Sequence, residues 1–264
     1  MILEKIAADT AERVKTQKRR IPLSQMRELA EKRGKETGFP FLKALRQPGL
    51  SVICEVKKAS PSKGVIAPEF PYLQIAAEYE AAGATAISVL TEPHFFLGSN
   101  DYLREIRQAV RIPLLRKDFT IDEYQIYEAK TLGADAVLLI CSLLDEGQFA
   151  SYLALAHSLG MDVLAEAHDC GEIQRALSAS ANIIGVNNRN LRDFSIDVQN
   201  SICLRNMVPK DVIFVAESGI RSGEDTRILQ EVGADAVLVG EALMKSPDKA
   251  AFLAELRGEQ HEQN

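Results

Sequence analysis

No tryptophan occurs in the chain, and only 6% of its 264 residues are aromatic, so its own ultraviolet fluorescence comes from six Tyr and ten Phe. Cationic residues are in deficit: 31 Lys and Arg against 37 Asp and Glu give a net charge of −6. That balance argues against nucleic acid as a partner, because a phosphate backbone calls for a dense cationic face. Uninterrupted apolar runs never reach the roughly 18 residues that a membrane span needs. The opening MILEKIAADTAERVKTQKRR also lacks the apolar stretch of a secretory signal. Four cysteines, Cys54, Cys141, Cys170 and Cys203, include no CxxC pair, so neither a zinc site nor a disulfide framework is expected. Cys54 and Cys141 lie in apolar runs, where cysteine acts as a small buried hydrophobe. A cytoplasmic location follows as the expectation. Histidine is equally sparse: His94, His157, His168 and His261 show no ligand spacing. Each is expected to be a surface or packing residue, with no metal and no cofactor implied.

What the chain does have is apolar material, 46% of residues, and a recurring phrase. AAGATAISVL (81–90), LGADAVLLI (132–140) and VGADAVLVG (232–240) each run from a helical stretch through a glycine into a β-branched apolar run. Gly83, Gly133 and Gly233 suit the left-handed position that closes a helix. They are 50 and 100 residues apart, two and four units of a βα repeat of about 25 residues. The intervening strands can be found: SVICEV (51–56), TAISVL (85–90), IPLLRK (112–117), DAVLLI (135–140), MDVLAE (161–166), NIIGVN (182–187), DVIFVA (211–216) and DAVLVG (235–240). Near-continuous apolar strands are buried on both faces, as in parallel sheets. Eight of them alternating with helical patterns predict an α/β fold, a (β/α)8 TIM barrel with an N-terminal helical extension. A doubly wound open sheet is the competing fold, but the GxGxxG that usually follows its first strand is missing. One domain is expected over 1–264: an extension of one or two amphipathic helices over 1–47, a barrel over 48–257 and a frayed tail over 258–264. The Lys15–Arg20 run reads most simply as a solvated helix end.

In a barrel, active residues lie at the C-terminal strand ends and in the loops beyond. Here those ends carry Glu55 and Lys57, then Arg116, Lys117 and Asp118, then Glu166, then Asn187, Asn188 and Arg189, then Glu217. A single strand-end Lys or Glu is more often a surface ion-pair member, and Arg116 with Asp118 fits such a structural pair. Barrel closure brings all these ends to one mouth, where lysines and carboxylates perturb one another's proton affinities as acid–base chemistry requires. Ser218-Gly219 and Gly240-Glu241 follow the seventh and eighth strands, the common barrel site for a phosphate. Glu241 would offer only its backbone N–H there, with its carboxylate turned away.

The phrases CEVKKASPSKG (54–64), ISVLTEPHFFLGS (87–99), LLRKDF (114–119), IGVNNRNL (184–191), VAESGI (215–220) and VLVGEALM (237–244) closely resemble the indole-3-glycerol phosphate synthase family of tryptophan biosynthesis. That resemblance spans roughly residues 1–257 and includes the N-terminal extension. It implies a lyase that closes the ring of 1-(2-carboxyphenylamino)-1-deoxyribulose 5-phosphate with loss of carbon dioxide and water. By motif, Lys117 resembles the general acid on the substrate's C2′ carbonyl oxygen, and Lys57 the second lysine. Glu166 resembles an acid or base of the later steps. Glu55, Asn187 and Glu217 match positions that orient the lysines and hold hydroxyls. Ser218, Gly219, Gly240 and Glu241 fall on the phosphate loop. Phe96, Phe119, Leu138 and Leu191 would enclose the aromatic ring, and Arg189 and Ser60 would meet polar parts of the substrate; plain core packing is the alternative for Phe119 and Leu138. Some relatives place a Trp from the first helix over the ligand, which this chain cannot do. The partner implied is a phosphorylated small molecule, bound by a monomer without nucleic acid or membrane. Competing functions are phosphoribosylanthranilate isomerase, a Schiff-base aldolase using Lys117, and a noncatalytic phosphometabolite sensor.

Overall fold

The computed structural model describes residues 2–190 and 194–259. Eight parallel strands pair in sequence order and close into a barrel: β1 (Ser51–Val56), β2 (Ala86–Leu90), β3 (Leu114–Lys117), β4 (Ala136–Ile140), β5 (Asp162–Ala167), β6 (Ile183–Asn187), β7 (Ile213–Glu217) and β8 (Ala236–Val239), which pairs back to β1. Each begins and ends within two residues of its expected position. The open-sheet alternative is excluded by the β8–β1 ladder, which joins Ser51 to Ala236 and Cys54 to Val239. Gly133 closes the helix Glu123–Leu132 in the left-handed conformation at φ 90°, as its place in the repeat requires.

Period two divides every strand between two cores. Val52, Val137, Val163 and Phe214 face outward into the layer shared with the helices. Their neighbours Ile53, Leu115, Leu138, Leu164 and Val215 fill the barrel interior. Continuing the inward alternation by one step toward the C-terminal end reaches Glu55, Lys117, Glu166, Asn187 and Glu217. The same periodicity that packs the floor therefore delivers the polar side chains to one mouth.

Three helices precede the barrel, one more than the sequence reading found: α1 (Ile2–Arg20), α2 (Leu23–Glu31) and α3 (Pro40–Leu45). The short α3 starts with Pro40 in its first turn, where the missing N–H loses no bond. It lays Phe41 and Leu45, 0% and 1% exposed, against the inner barrel residues. The backbone N–H of Leu42 donates to Asp162 Oδ2 at 2.9 Å, so the opening residue of β5 fastens this plug. With six residues, of which only Phe41 and Leu45 are buried, α3 is too short for a helical period to be read. Of the tail expected to fray from residue 258, positions 260–264 lie outside the described residues.

The α1 helix lies at the opposite end. Arg13 grips Asp118 with both terminal nitrogens, at 3.0 and 2.7 Å. Lys18 reaches Asp122 at 2.7 Å, and His94 Nδ1 lies 2.6 Å from Asp9. The basic run 15–20 thus contributes one barrel contact rather than only a solvated end.

Candidate active site

The mouth encloses a cavity of about 460 Å³. Of the residues singled out in the sequence, Glu55, Lys57, Ser60, Phe96, Lys117, Phe119, Leu138, Glu166, Asn187, Arg189, Glu217, Ser218, Gly219, Gly240 and Glu241 all line it. Leu191 lies outside the described residues. Arg116 and Asn188 turn away. Arg116, 2% exposed, is held by Thr91, Asn100, Asp118, Glu128 and the Gln125 carbonyl. Asn188 accepts from the backbone and hydroxyl of Ser201. Arg116 and Asp118 do form an ion pair, as part of the larger network that anchors α1.

Lys117 is the centre of the charge arrangement. Its Nζ lies 3.3 Å from Glu166 Oε2 and 3.5 Å from Glu217 Oε2. Burial works against its charge, but Glu166, Glu217 and Glu55 outweigh that and hold its pKa above the ordinary lysine value. Burial pushes Glu166 up, yet Lys117, His168 and a hydrogen bond from Asn187 bring it below the usual carboxylate value. Glu217 goes the other way: burial raises it, the nearby Glu166 and Glu55 add to the rise, and Lys117 offsets only part. Neighbouring carboxyls whose environments drive them apart are the arrangement that supplies one ionised and one protonated group at the same pH. Lys57 Nζ pairs with Glu55 Oε1 at 2.5 Å on the adjoining wall.

Two glycines make room for these side chains. A Cβ on Gly185 would stand 2.1 Å from Glu217 Oε1, and one on Gly240 would stand 2.3 Å from Glu55 Oε1 and 2.9 Å from Lys57 Nζ. Gly240 therefore serves the ion pair as well as the loop after β8. Ser218 and Gly219 both take positive φ, 67° and 86°, and a Cβ on Gly219 would meet Ile196 at 2.7 Å. Non-glycine residues held at positive φ carry strain that functional loops tend to store. The Glu241 carboxylate turns to Lys245 at 2.7 Å and Lys63 at 3.9 Å.

Three features were missed in the sequence. Ile2, Leu3 and Ile6 of α1 line the cavity, so aliphatic side chains stand where a Trp would have been sought. Their spacing on an amphipathic helix was a signal, but only α1's docking aims that face at the mouth. Glu92, fully buried, accepts the backbone N–H groups of His94, Phe95 and Phe96 and so fixes the turn that brings Phe96 to 5.9 Å from Phe119. His168, expected to be a surface or packing residue, is half-buried beside a carboxylate of the site. Its Nε2 lies 3.7 Å from Glu166 Oε1, and its Nδ1 lies 3.2 Å from Glu172. The available signal was its place two residues after Glu166, just past the end of β5. As for metals, Asp9, Glu92 and His94 lie close together, but the oxygens of Glu92 already serve three N–H groups and Asp9 already serves His94.

Comparison with known proteins follows this geometry. The family model described as indole-3-glycerol phosphate synthase matches residues 3–256. A protein of that name from Ruminiclostridium cellulolyticum is 55% identical over 258 residues, covering 98% of this chain and 99% of the relative. Another from Endomicrobium trichonymphae is 53% identical, covering 97% and 100%. Among solved structures, a 3-hexulose-6-phosphate synthase superposes with a TM-score of 0.62 at 17% identity, over 80% of this chain and 99% of that one. A second, from Salmonella typhimurium, gives 0.65 at 15% identity, over 79% and 97%. At such identities these two show the barrel alone.

Proposed function

Because the chain belongs to the indole-3-glycerol phosphate synthase family, and is thereby a carboxy-lyase of tryptophan biosynthesis, we propose that Lys117 is the general acid of its ring closure. The supporting observation is the ammonium group held 3.3 and 3.5 Å from two buried carboxyls at the mouth. The substrate carries a carbonyl, an aniline ring, a carboxylate and a phosphate. Proton donation from Lys117 to the carbonyl oxygen makes its carbon electrophilic enough for ring attack. The same geometry disfavours a Schiff-base role, since nucleophilic attack needs the free amine and the flanking carboxylates stabilise the ammonium form.

Lys57, paired with Glu55, is the second acid and serves dehydration. Glu166 and Glu217 divide the remaining proton transfers, with Asn187 steadying Glu166. The phosphate sits against the backbone N–H groups of Ser218, Gly219, Gly240 and Glu241, where Lys57, Lys63 and Lys245 line the same wall. Phe96, Phe119 and Leu138 hold the aromatic ring below Leu3 and Ile6, and Arg189, bound to Ser62 at 3.3 Å, closes the side near Ser60. Packing the ring over the carbonyl and displacing water supplies proximity. Within the 1–47 extension, α1 covers the mouth and α3 plugs the opposite end of the 48–257 barrel, all in one domain. The enzyme works as a cytoplasmic monomer; its free cysteines suit a reducing compartment.

Incubation with the anilino-ribulose phosphate, watched by fluorescence, tests the proposal directly, because an indole product emits against a background of Tyr and Phe only. Lys117→Ala is expected to lower turnover by about 10²–10⁴-fold, the usual range for a positioned acid, while phosphate-dependent binding persists. Ring closure by that variant at the parent rate would overturn the general-acid assignment.

A further inference from the structure

The reaction consumes one proton in every turnover, and the acid–base groups inside the mouth must be recharged to deliver it. Its substrate enters as a carboxylate and leaves as neutral carbon dioxide, so the balance is substrate plus one proton giving indole-3-glycerol phosphate, carbon dioxide and water. One proton must therefore reach a buried site in every turnover, while the substrate itself fills the mouth. Glu166, with its side chain 2% exposed, meets bulk water only through that mouth.

We propose that His168 is a positioning residue that supplies protons to Glu166, oriented for the task by Glu172. This rests on the reading of Glu166 as an acid–base carboxylate. The geometry divides the two oxygens of Glu166 between two partners. Oε2 faces the cavity and Lys117 at 3.3 Å, whereas Oε1 faces His168 Nε2 at 3.7 Å. That separation is about 0.7 Å longer than an N–H···O bond, and catalytic hydrogen bonds commonly tighten only when substrate is bound. Nε2 is buried and has no hydrogen-bond partner among the described residues, so nothing else competes for it.

The far side of the ring is fixed. Nδ1 lies 3.2 Å from Glu172 Oε2, and the same oxygen accepts the backbone N–H of His168 at 2.7 Å. A carboxylate on one imidazole nitrogen sets the tautomer and leaves the other nitrogen for proton transfer, the logic by which an acid orients a catalytic histidine. The imidazole is 20% exposed, against 2% for Glu166 and 12% for Glu172, so the ring is the most solvent-accessible of the three. The charged groups around it are Glu166 and Glu217 on the barrel, with Lys117 beyond them, and Glu172 on the helix Cys170–Ser178, with Asp169 and Arg175 nearby on that segment. Asn200, from the helix Gln199–Leu204, donates to the His168 carbonyl and carries no charge. Burial opposes the imidazolium, but the hydrogen bond to Glu172 and the charge of Glu166 outweigh it and raise the pKa.

The step is a single proton transfer. The Nε2–H bond of the imidazolium breaks and an O–H bond forms at Glu166 Oε1, leaving a neutral ring with its Nδ1–H on Glu172. After product leaves, solvent restores the proton to the ring, which is 20% exposed, by a turn that brings the buried Nε2 to water.

Three variants of the full chain, assayed for kcat and KM across pH, test this. His168→Ala is expected to lose about 10²-fold in kcat, the lower edge for a positioned acid–base group, with KM little changed and part of the rate restored by added imidazole. Glu172→Gln keeps an acceptor for the ring while removing the charge that favours imidazolium. It is expected to move the alkaline fall of kcat to lower pH. His168→Ala with parent kcat and parent pH profile overturns the proposal, as does a loss of rate that is uniform in pH and unmoved by imidazole. If His168→Ala fails to fold, the direction of the Glu172→Gln shift decides, and an unshifted profile is the overturning result. Glu166→Gln separates this inference from the reading beneath it: full activity in that variant refutes the role of Glu166 itself. An inactive Glu166→Gln beside a normal His168→Ala refutes only the role of His168.

Discussion

Replacing Arg13 by Ala removes the strongest tie between α1 and the barrel. Asp118, 1% exposed, receives both Arg13 nitrogens, at 3.0 and 2.7 Å. Removing one member of a buried pair costs about 3–5 kcal/mol, because the other charge is left desolvated. Asp118 here keeps Thr91 at 2.7 Å, the Phe119 N–H at 2.8 Å and Arg116 at 3.3 Å. That residual solvation brings the expected loss down to about 2–3 kcal/mol at neutral pH. The pH dependence carries a sign. Burial pushes the Asp118 pKa up, but Arg13 and Arg116 together hold it below the ordinary value. A depressed carboxyl stabilises the fold above its unfolded pKa and stops doing so as pH falls through its folded pKa. The gap between parent and variant is therefore widest near neutrality and closes in acid. Urea unfolding at about pH 7 and at about pH 2.5, below the ordinary Asp value of about 3.9, measures both quantities. A second readout is functional: α1 carries Ile2, Leu3 and Ile6 to the cavity, so KM is expected to rise several-fold. Lys at position 13 should restore little, since an ammonium cannot make the two-pronged contact. A neutral-pH difference below about 0.5 kcal/mol, the ordinary scale of surface substitutions, or one constant across pH, would refute the reasoning.

Two further outcomes concern the barrel interior. Asp162 is raised by burial to about 6, so its contribution is present at low pH and is lost as pH rises through that value. Asp162→Asn should accordingly gain on the parent from about pH 4 to about pH 7, reaching about 1–3 kcal/mol at 1.4 kcal/mol per unit of pKa; melting curves that keep a constant offset would contradict this. Gly185→Ala should displace the Glu217 carboxyl that lies 2.1 Å from the added Cβ, costing about 1–3 kcal/mol of stability together with most of the turnover. Calorimetry and kcat measured on one preparation would detect both.

The barrel was legible in the sequence because apolar runs buried on both faces carry their own signature, and the helix-closing glycines gave the repeat length. The cavity-lining residues were legible for a related reason: strand period and closure fix where Glu55, Lys117, Glu166, Asn187 and Glu217 must converge. What escaped depends on docking between segments distant in sequence. Phe41 and Leu45 look like any apolar pair until α3 is seen against Ile53 and Leu164. The cover made by Leu3 and Ile6 depends on ion pairs such as Arg13 to Asp118, 105 residues apart. His168 shows no metal-ligand spacing, and its environment comes from Glu166 on the strand that ends just before it and Glu172 in the first turn of the next helix.

The plug formed by α3 has a consequence for traffic. With Phe41 and Leu45 beneath a floor that includes Ile53, Leu115, Leu164 and Val215, the barrel is a cup and not a tube. Substrate, carbon dioxide, water and the phosphorylated product must all pass the same rim, under the same helix. The small neutral products have to slip past a bound phosphate ester or wait for it to go. The order of departure is thus set by one doorway, and α1 forms one side of it.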